Sequence, residues 1–352
     1  MATYKKIIRA RAPLRITFGG GSTDHSPYDE QFGGVCVNAT ISKYVYATLK
    51  TRNDDLINIR SDIINKDDGF NTHEENLNSI KDIKLNSSVL DLIKATILEM
   101  NPQFGFDLYV RSDVPLHSGL GASTALGASI IGIFNHLREN NKLDKNKIAE
   151  TIHFIENKKI NNLLGRQDPY AAVFGGLNII KCDGGNNVTI NKINIPERHL
   201  LDLEKNLIIV NQRARAKASG KEYERMHSNN VFNDEDKLKL LHGSKQNALS
   251  MAKSLQNTDL RRFGELIGEV WEKKKKYNPL STDNNINNLL NEAAKNGAIG
   301  SKLMGGGGGG HLLIYCTPDT ELKIKSVLNK IGAESLDFSF DHEGLKVWEA
   351  DE

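Results

Sequence analysis

Cysteine is scarce: Cys36, Cys182 and Cys316 are the only three in 352 residues, and they lie far apart. That excludes the paired spacing of a zinc site and the density of a disulfide scaffold, and it points to buried free thiols in a reducing compartment. Long apolar runs are missing too. Nothing approaches the ~18 consecutive apolar residues that span a bilayer. The opening Met1-Ala2-Thr3-Tyr4-Lys5-Lys6 leads into Ile7-Ile8 and arginines, without the ~7–15-residue apolar segment of a secretory signal. A soluble, cytoplasmic protein with no membrane partner is expected. Neither sign of charge is in excess: 46 Lys plus Arg against 44 Asp plus Glu leave a formal net charge of +2, too little to argue for nucleic acid or an anionic membrane surface. A charged small molecule remains a candidate ligand. No repeat period is visible.

What is there is a globular composition. The residues AVILMFWYC make up 39 % and 30 glycines add to them, which excludes wholesale disorder. At a loose ~150 residues per domain the length suggests two domains. The first third alternates in short strand-like segments at 7–18, 35–41, 44–49, 56–59 and 106–110. A helix over 123–138 carries Leu126, Ile130, Ile133, Phe134 and Leu137 at helical spacing, and Asp144 offers the N-cap of another running to about Lys158. Strands are predicted at 177–182 and 188–195, and Pro196 marks a plausible boundary. The second half opens on a strand at 207–210 and passes into helices at 233–255, at 259–277 and after Asp283. It closes with a strand at 311–316, a helix at 320–331 and strands at 335–340 and 345–349. This is an α+β layout, without the regular alternation of a doubly wound sheet. The run 273–276 of lysines ends a helical pattern and reads as a solvated face complementing the helix dipole.

Three glycine-rich places carry the chemistry. Gly19-Gly20-Gly21-Ser22-Thr23-Asp24 follows a strand and delivers short hydroxyl and carboxylate groups suited to a polyol, although by itself it is equally a tight turn. The segment 113–125 includes Pro115, Gly119, Leu120, Gly121, Ala122, Ser123 and Thr124 and runs into an apolar helix. A glycine loop feeding a helix N-terminus presents unpaired N–H groups at the positive end of the dipole, a ready phosphate site. It is not a Walker A loop, since no Gly-Lys-Ser/Thr closes it. The third place, glycines 305–310 followed by His311, leads into a strand rather than a helix, so a dinucleotide site is rejected and close contact with a ligand or another loop is expected. His25, His117 and His311 flank these motifs without metal-ligand spacing.

In this order and spacing the three motifs resemble the GHMP superfamily of small-molecule kinases. The segment 115–125 is similar to its Pro-x-x-x-Gly-Leu-Gly-Ser-Ser-Ala phosphate loop, with Ala122 in place of the first serine. The stretch Ala12-Pro13-Leu14-Arg15-Ile16, the triple glycine, Thr23-Asp24 and the segment 165–176 are similar to the D-glycero-α-D-manno-heptose 7-phosphate kinases. The resemblance covers essentially the whole chain. It implies a two-domain α+β fold, with 1–196 as a strand-rich N-terminal domain bearing the phosphate loop and 197–352 as a helix-and-strand C-terminal domain bearing substrate contacts. ATP and substrate would meet in the cleft between them.

Carried over residue by residue, the resemblance makes Asp168 the carboxylate that contacts the acceptor hydroxyl. Arg15 is the always-charged residue beside it. Gly119, Gly121, Ala122 and Thr124 would cradle the phosphates, framed by Pro115 and Leu120. Ser123 and Glu156 would hold Mg²⁺. Ser22, Thr23 and Asp24 would bind sugar hydroxyls, Arg215 the substrate phosphate with Arg213, Lys217 and Lys221 as neighbours, and Gly307 and Gly308 would lie against the substrate. Pro169 and the stretch 212–217 depart from the family pattern except at Arg215. The implied activity is phosphorylation by ATP of the anomeric hydroxyl of a heptose 7-phosphate, on the route to a nucleotide-activated heptose. Another sugar 1-kinase of the superfamily, or a catalytically silent protein of the same fold, are the alternatives. A homodimer is compatible with all of them.

Overall fold

The computed structural model describes residues 6–65, 69–115, 118–184, 187–212 and 234–351. The chain begins with β1 (Ile7–Gly19), whose inward Ile8, Ala10, Ala12, Leu14 and Ile16 are fully buried. A short helix α1 (Tyr28–Phe32) precedes β2 (Gly34–Thr51), which pairs antiparallel with β1 along its length. The two strands expected at 35–41 and 44–49 are thus one, bent at the register shift beside Pro13 and Leu14. Then come β3 (Ile57–Asn65), β4 (Gly69–Leu77), α2 (Asp91–Met100) and β5 (Phe106–Ser112). β4 and α2 were not anticipated. In β4 polar residues on both faces hide the alternation, and in α2 ten residues are too few for a clear helical period.

α3 (Ala122–Leu137) is followed by α4 (Lys145–Phe154), and the Asp144 side chain caps α4 by accepting from the Lys147 N–H at 2.8 Å. The helix expected to reach Lys158 instead widens after Phe154 into a π turn, Ile155–Lys159. α5 (Gln167–Phe174), β6 (Leu177–Cys182) and β7 (Val188–Lys192) complete the first half. The first sheet has the order β1-β2-β5-β3-β4, with β6 and β7 joined through β2 and a further strand outside β1. α3 lies on this sheet, where its buried small residues Ala122, Ala125, Ala128 and Gly132 let it approach closely, while Gly127 lies against Ile152 of α4.

Past Pro196 the chain forms α6 (Glu197–Lys205), β8 (Leu207–Asn211), α7 (Glu235–Gln256) and α8 (Leu260–Tyr277). α9 (Asn284–Lys295), β9 (Ala298–Leu303), β10 (His311–Cys316), α10 (Glu321–Lys330) and β11 (Glu334–Leu336) follow. The second sheet runs β11-β8-β10-β9. The strand expected over 335–340 is confined to its first residues, and Phe340 makes an isolated bridge to Ile41. The last strand, β12 (Lys346–Ala350), pairs with β1 in the first sheet. β12 covers the open edge of β1, and Leu345 and Val347 close over Gly132 of α3. The main core is continuous between the halves, with the rings of Phe18 and Phe263 edge to face at 4.9 Å. No helix among the described residues is long and apolar enough to cross a membrane.

Candidate active site

The three glycine segments converge. Gly119 has φ +80°, and a Cβ there would stand 3.0 Å from the Met304 carbonyl oxygen. A Cβ at Gly305 would stand 2.8 Å from the Gly119 Cα, and one at Gly310 2.7 Å from the Ser118 carbonyl oxygen. The glycine loop after β9 is thus the bed on which the loop before α3 lies, and side chains at these positions would lift it. His311 Nδ1 bonds the Ser118 carbonyl at 2.8 Å, and Arg15 secures the other side through its N–H to Leu120 O at 2.9 Å and Nη1 to Gly119 O at 2.6 Å. Gly121, with φ +79°, caps α3, so the N–H groups of its first turn face the cleft with the positive end of the dipole behind them.

Arg15 and Asp168 form a two-pronged pair, Nε to Oδ1 and Nη2 to Oδ2, each 2.6 Å, with both residues under 10 % exposed. Asp168 sits in the first turn of α5, opposite the start of α3. Asp24 is buried beside it and accepts the Gln167 N–H on Oδ2 at 3.0 Å, while Oδ1 has no hydrogen-bond partner among the described residues. Burial raises the Asp24 carboxyl above the ordinary range, with the Gln167 N–H opposing it. Thr17 Oγ1 donates to Gln167 Oε1 at 2.7 Å, and Gln167 lines the cleft. His25 lines it too, and burial drives the imidazole down to about 4.

Glu156 is fully buried on the π turn and lines the cleft. It accepts from Asn162 Nδ2 at 2.6 Å, Thr124 Oγ1 at 3.1 Å and Ser123 Oγ at 3.2 Å. Burial pushes its carboxyl up to about 7 against these bonds, which favour the ionised form. Among the described residues no three His, Cys, Asp or Glu side chains gather as a metal cage. A buried carboxylate touching a cleft-facing hydroxyl at a phosphate-binding turn still fits Mg²⁺, which takes one or two protein oxygens and fills its octahedron with phosphate and water.

Arg15, Asp24, His25, Gly119, Gly121, Glu156, Gln167 and Asp168 line one cleft of about 940 Å³ between the halves. Ser22, Asp24, Gly119, Gly121, Ala122, Ser123, Glu156, Arg15 and Asp168 face it as the sequence suggests. Others do not. Thr23 is fully buried, its hydroxyl donating to Gly20 O at 2.7 Å and accepting from Val35 N at 3.1 Å, so it fastens the loop that presents Asp24. Thr124 turns inward to Glu156, Leu120 is buried in the core, and Pro115 is half-buried away from the cleft lining. Gly305 and Gly306 reach the cleft, whereas Gly307 and Gly308 rest against the turn Pro279–Ser281, with Gly308 N–H on Ser281 O at 3.1 Å. Arg213, Arg215, Lys217, Lys221 and His117 lie outside the described residues.

The lysine run is the main correction. Lys275 pairs with Glu272 at 2.8 Å and Lys276 is exposed, but Lys273 and Lys274 turn into the cleft. Val270, Lys273, Lys274 and Tyr277 fall on one face of α8, a helical spacing that was legible. Lys274 Nζ donates to the carbonyls of Leu303 and Gly305. Lys302, also missed, is buried on β9, and its Nζ donates to Thr17 O at 2.6 Å and Phe18 O at 3.0 Å. Burial and the neighbouring Arg15 lower its ammonium to about 7.

Comparison with known proteins meets this geometry from outside. Residues 87–176 match the GHMP kinases N terminal domain and residues 251–334 the GHMP kinases C terminal domain. The D-glycero-alpha-D-manno-heptose 7-phosphate kinase of Campylobacter jejuni is 30 % identical over 350 residues, covering 97 % of this chain and 99 % of that protein. A crystal structure of a D-glycero-D-manno-heptose 1-phosphate kinase from Bacteroides thetaiotaomicron superposes with a TM-score of 0.79 at 24 % identity, over 98 % of this chain and 100 % of that one. Lactococcus lactis galactokinase, in complex with galactose, superposes at 0.74 and 18 % identity over 99 % and 96 %. With the phosphate loop lying on its glycine bed, the Arg15–Asp168 pair at its mouth and a full-length relative of this kind, the chain belongs to the GHMP kinase family.

Proposed function

We propose that this chain transfers the γ-phosphoryl group of ATP to the anomeric hydroxyl of D-glycero-α-D-manno-heptose 7-phosphate, giving the 1,7-bisphosphate and ADP in the cytoplasm. The observation that carries the chemistry is the Arg15–Asp168 pair beside the Asp24 carboxyl, at the N-terminus of α3. The substrate is drawn from the relative that is 30 % identical across the whole chain.

In this reading Asp24 and Ser22 accept and donate hydrogen bonds to ring hydroxyls. Each Asp168 oxygen has one lone-pair direction taken by Arg15 and another left for the acceptor hydroxyl. Asp168 orients that hydroxyl and takes its proton as the new O–P bond forms, while Arg15 stabilises charge on the transferring group. The first-turn N–H groups of α3 hold the phosphates, and exposed Leu85, Val89 and Leu163, which also line the cleft, suit a planar base. Ser123 and Glu156 would hold Mg²⁺, which when bound neutralises charge on the phosphate oxygens.

ADP release, followed with ATP and a panel of sugar phosphates, tests the substrate. Heptose 7-phosphate is expected to give the highest kcat/KM, and the absence of turnover with any sugar phosphate would overturn the reading. Asp168→Asn keeps size and removes charge, so kcat is expected to fall roughly 10²-fold or more with little change in KM. Near-normal kcat would remove Asp168 from proton transfer.

A further inference from the structure

A sugar that already carries a phosphate brings about two negative charges to the end of the cleft remote from the reacting hydroxyl, and a site that selects it needs a cation there. Among the described residues the cleft cations differ in what they already hold. Arg15 is matched by Asp168, Lys159 approaches Glu99 at 3.5 Å, Lys274 is spent on the carbonyls of the glycine bed, and Lys302 on those of Thr17 and Phe18. Lys273 has no carboxylate partner among the described residues; its Nζ donates to the neutral Asn247 Oδ1 at 3.0 Å, which leaves donors for a ligand.

Its position is set by α7. That helix lies against the sugar-binding loop: a Cβ at Gly19 would stand 2.5 Å from Met251 Sδ and 3.6 Å from the Ala248 Cα. One turn before Ala248, Ser244 lines the cleft. The stem of Lys273 crosses α7 at Gly243, where a Cβ would stand 3.0 Å from Lys273 Cε, so the ammonium is carried to Asn247 beside Ser244. The adjacent lysines therefore divide the cleft: Lys274 supports the phosphate-loop side and Lys273 faces the sugar side.

We propose that Lys273 Nζ and Ser244 Oγ receive the non-reacting phosphate of the sugar substrate, and so set the preference for a phosphorylated sugar. The proposal rests on the sugar-phosphate kinase reading above. The experiment measures kcat/KM for heptose 7-phosphate and for the same heptose without its phosphate, in the wild type, Lys273→Met, Lys273→Arg and Ser244→Ala. Lys273→Met is expected to lower kcat/KM for the phosphorylated sugar ~10- to 100-fold, mainly through KM. The unphosphorylated sugar should lose less than about 3-fold and KM for ATP should move less than about 2-fold, while Lys273→Arg recovers part of the preference. Ser244→Ala is expected to cost about 3- to 10-fold on the same ratio, and it decides the matter if Lys273→Met fails to fold. An unchanged ratio in both variants, or equal losses with both sugars, overturns the proposal while leaving the kinase reading intact. A wild type that turns over no sugar phosphate removes both, and one that prefers the plain sugar removes this proposal together with the heptose 7-phosphate assignment while leaving ATP-dependent sugar kinase chemistry in place.

Discussion

His25 shows how a single buried side chain ties the site to the stability of the molecule. Its imidazole is lowered to about 4 first by burial and then by Arg15, against the raising pull of Asp168 and Asp29. An unfolded histidine titrates near ~6.5, so between pH 6.5 and 4 the unfolded chain binds the proton and the folded chain does not. The contribution is therefore fully present above pH 6.5 and is lost as pH falls toward 4. On this account His25 alone makes the protein less stable at pH 4.5 than at pH 7 by ~2 kcal/mol, and His153, lowered to about 4 in the same way, adds to the fall. His25→Gln removes the titrating group. Urea unfolding at the two pH values is expected to show a decrement ~2 kcal/mol smaller in the variant than in the wild type; equal decrements would show that His25 is not held neutral.

At the scale of elements, the proposed nucleotide site depends on backbone lying on backbone. The loop into α3 can present its N–H groups only because the glycine segment after β9 offers no side chains beneath it, at Gly305 and Gly310 in particular. Gly305 also has φ +69°, where alanine is strained by ~1 kcal/mol or more. Gly305→Ala is thus expected to push on Gly119 and raise KM for ATP roughly ten-fold, while KM for the sugar stays within about 2-fold. Steady-state kinetics with each substrate varied in turn checks this, and an unchanged KM for ATP would separate the glycine bed from nucleotide binding. The same loop explains why Gly307 and Gly308 miss the cleft: they turn around Ser281, and only the first two glycines stay under the phosphate loop.

For the whole molecule, the chain closes on itself. β12 joins the first sheet next to β1, in register from Ile7 with Ala350 to Arg11 with Lys346. Removing the residues after Gly344 would open the edge of β1 and uncover Gly132 of α3, against which Leu345 and Val347 pack at 3.0 Å from its would-be Cβ. An open strand edge is a template for association. The truncated chain is expected to melt roughly 5 °C or more below the full chain and to run as larger species in size-exclusion chromatography. An unchanged melting temperature would mean that β12 adds nothing to the first sheet.

The sequence by itself determined, through the resemblance of its motifs, the kinase fold, and it placed the groups proposed for the chemistry in local patterns: glycines before α3, Asp24 after a strand end, Asp168 at a helix start, with Asp144 as a cap that the structure repeats at 2.8 Å. Those patterns depend on φ, hydrogen-bond donors and helix ends within a few residues, and such physics is visible along the chain. Tertiary structure alone decided what distant segments do for one another. Thr23 and Thr124 look like ligand hydroxyls in sequence but are consumed by Val35, Gly20 and Glu156. Lys273 and Lys274 look like a solvated run, yet packing of α8 against α7 and β9 turns them inward. Lys302 becomes a clamp on β1 from 284 positions away. Whether a polar side chain meets a ligand or the protein's own backbone depends on which long-range partner arrives first within hydrogen-bond reach, and that is set by the packing of the two halves rather than by any neighbour in sequence.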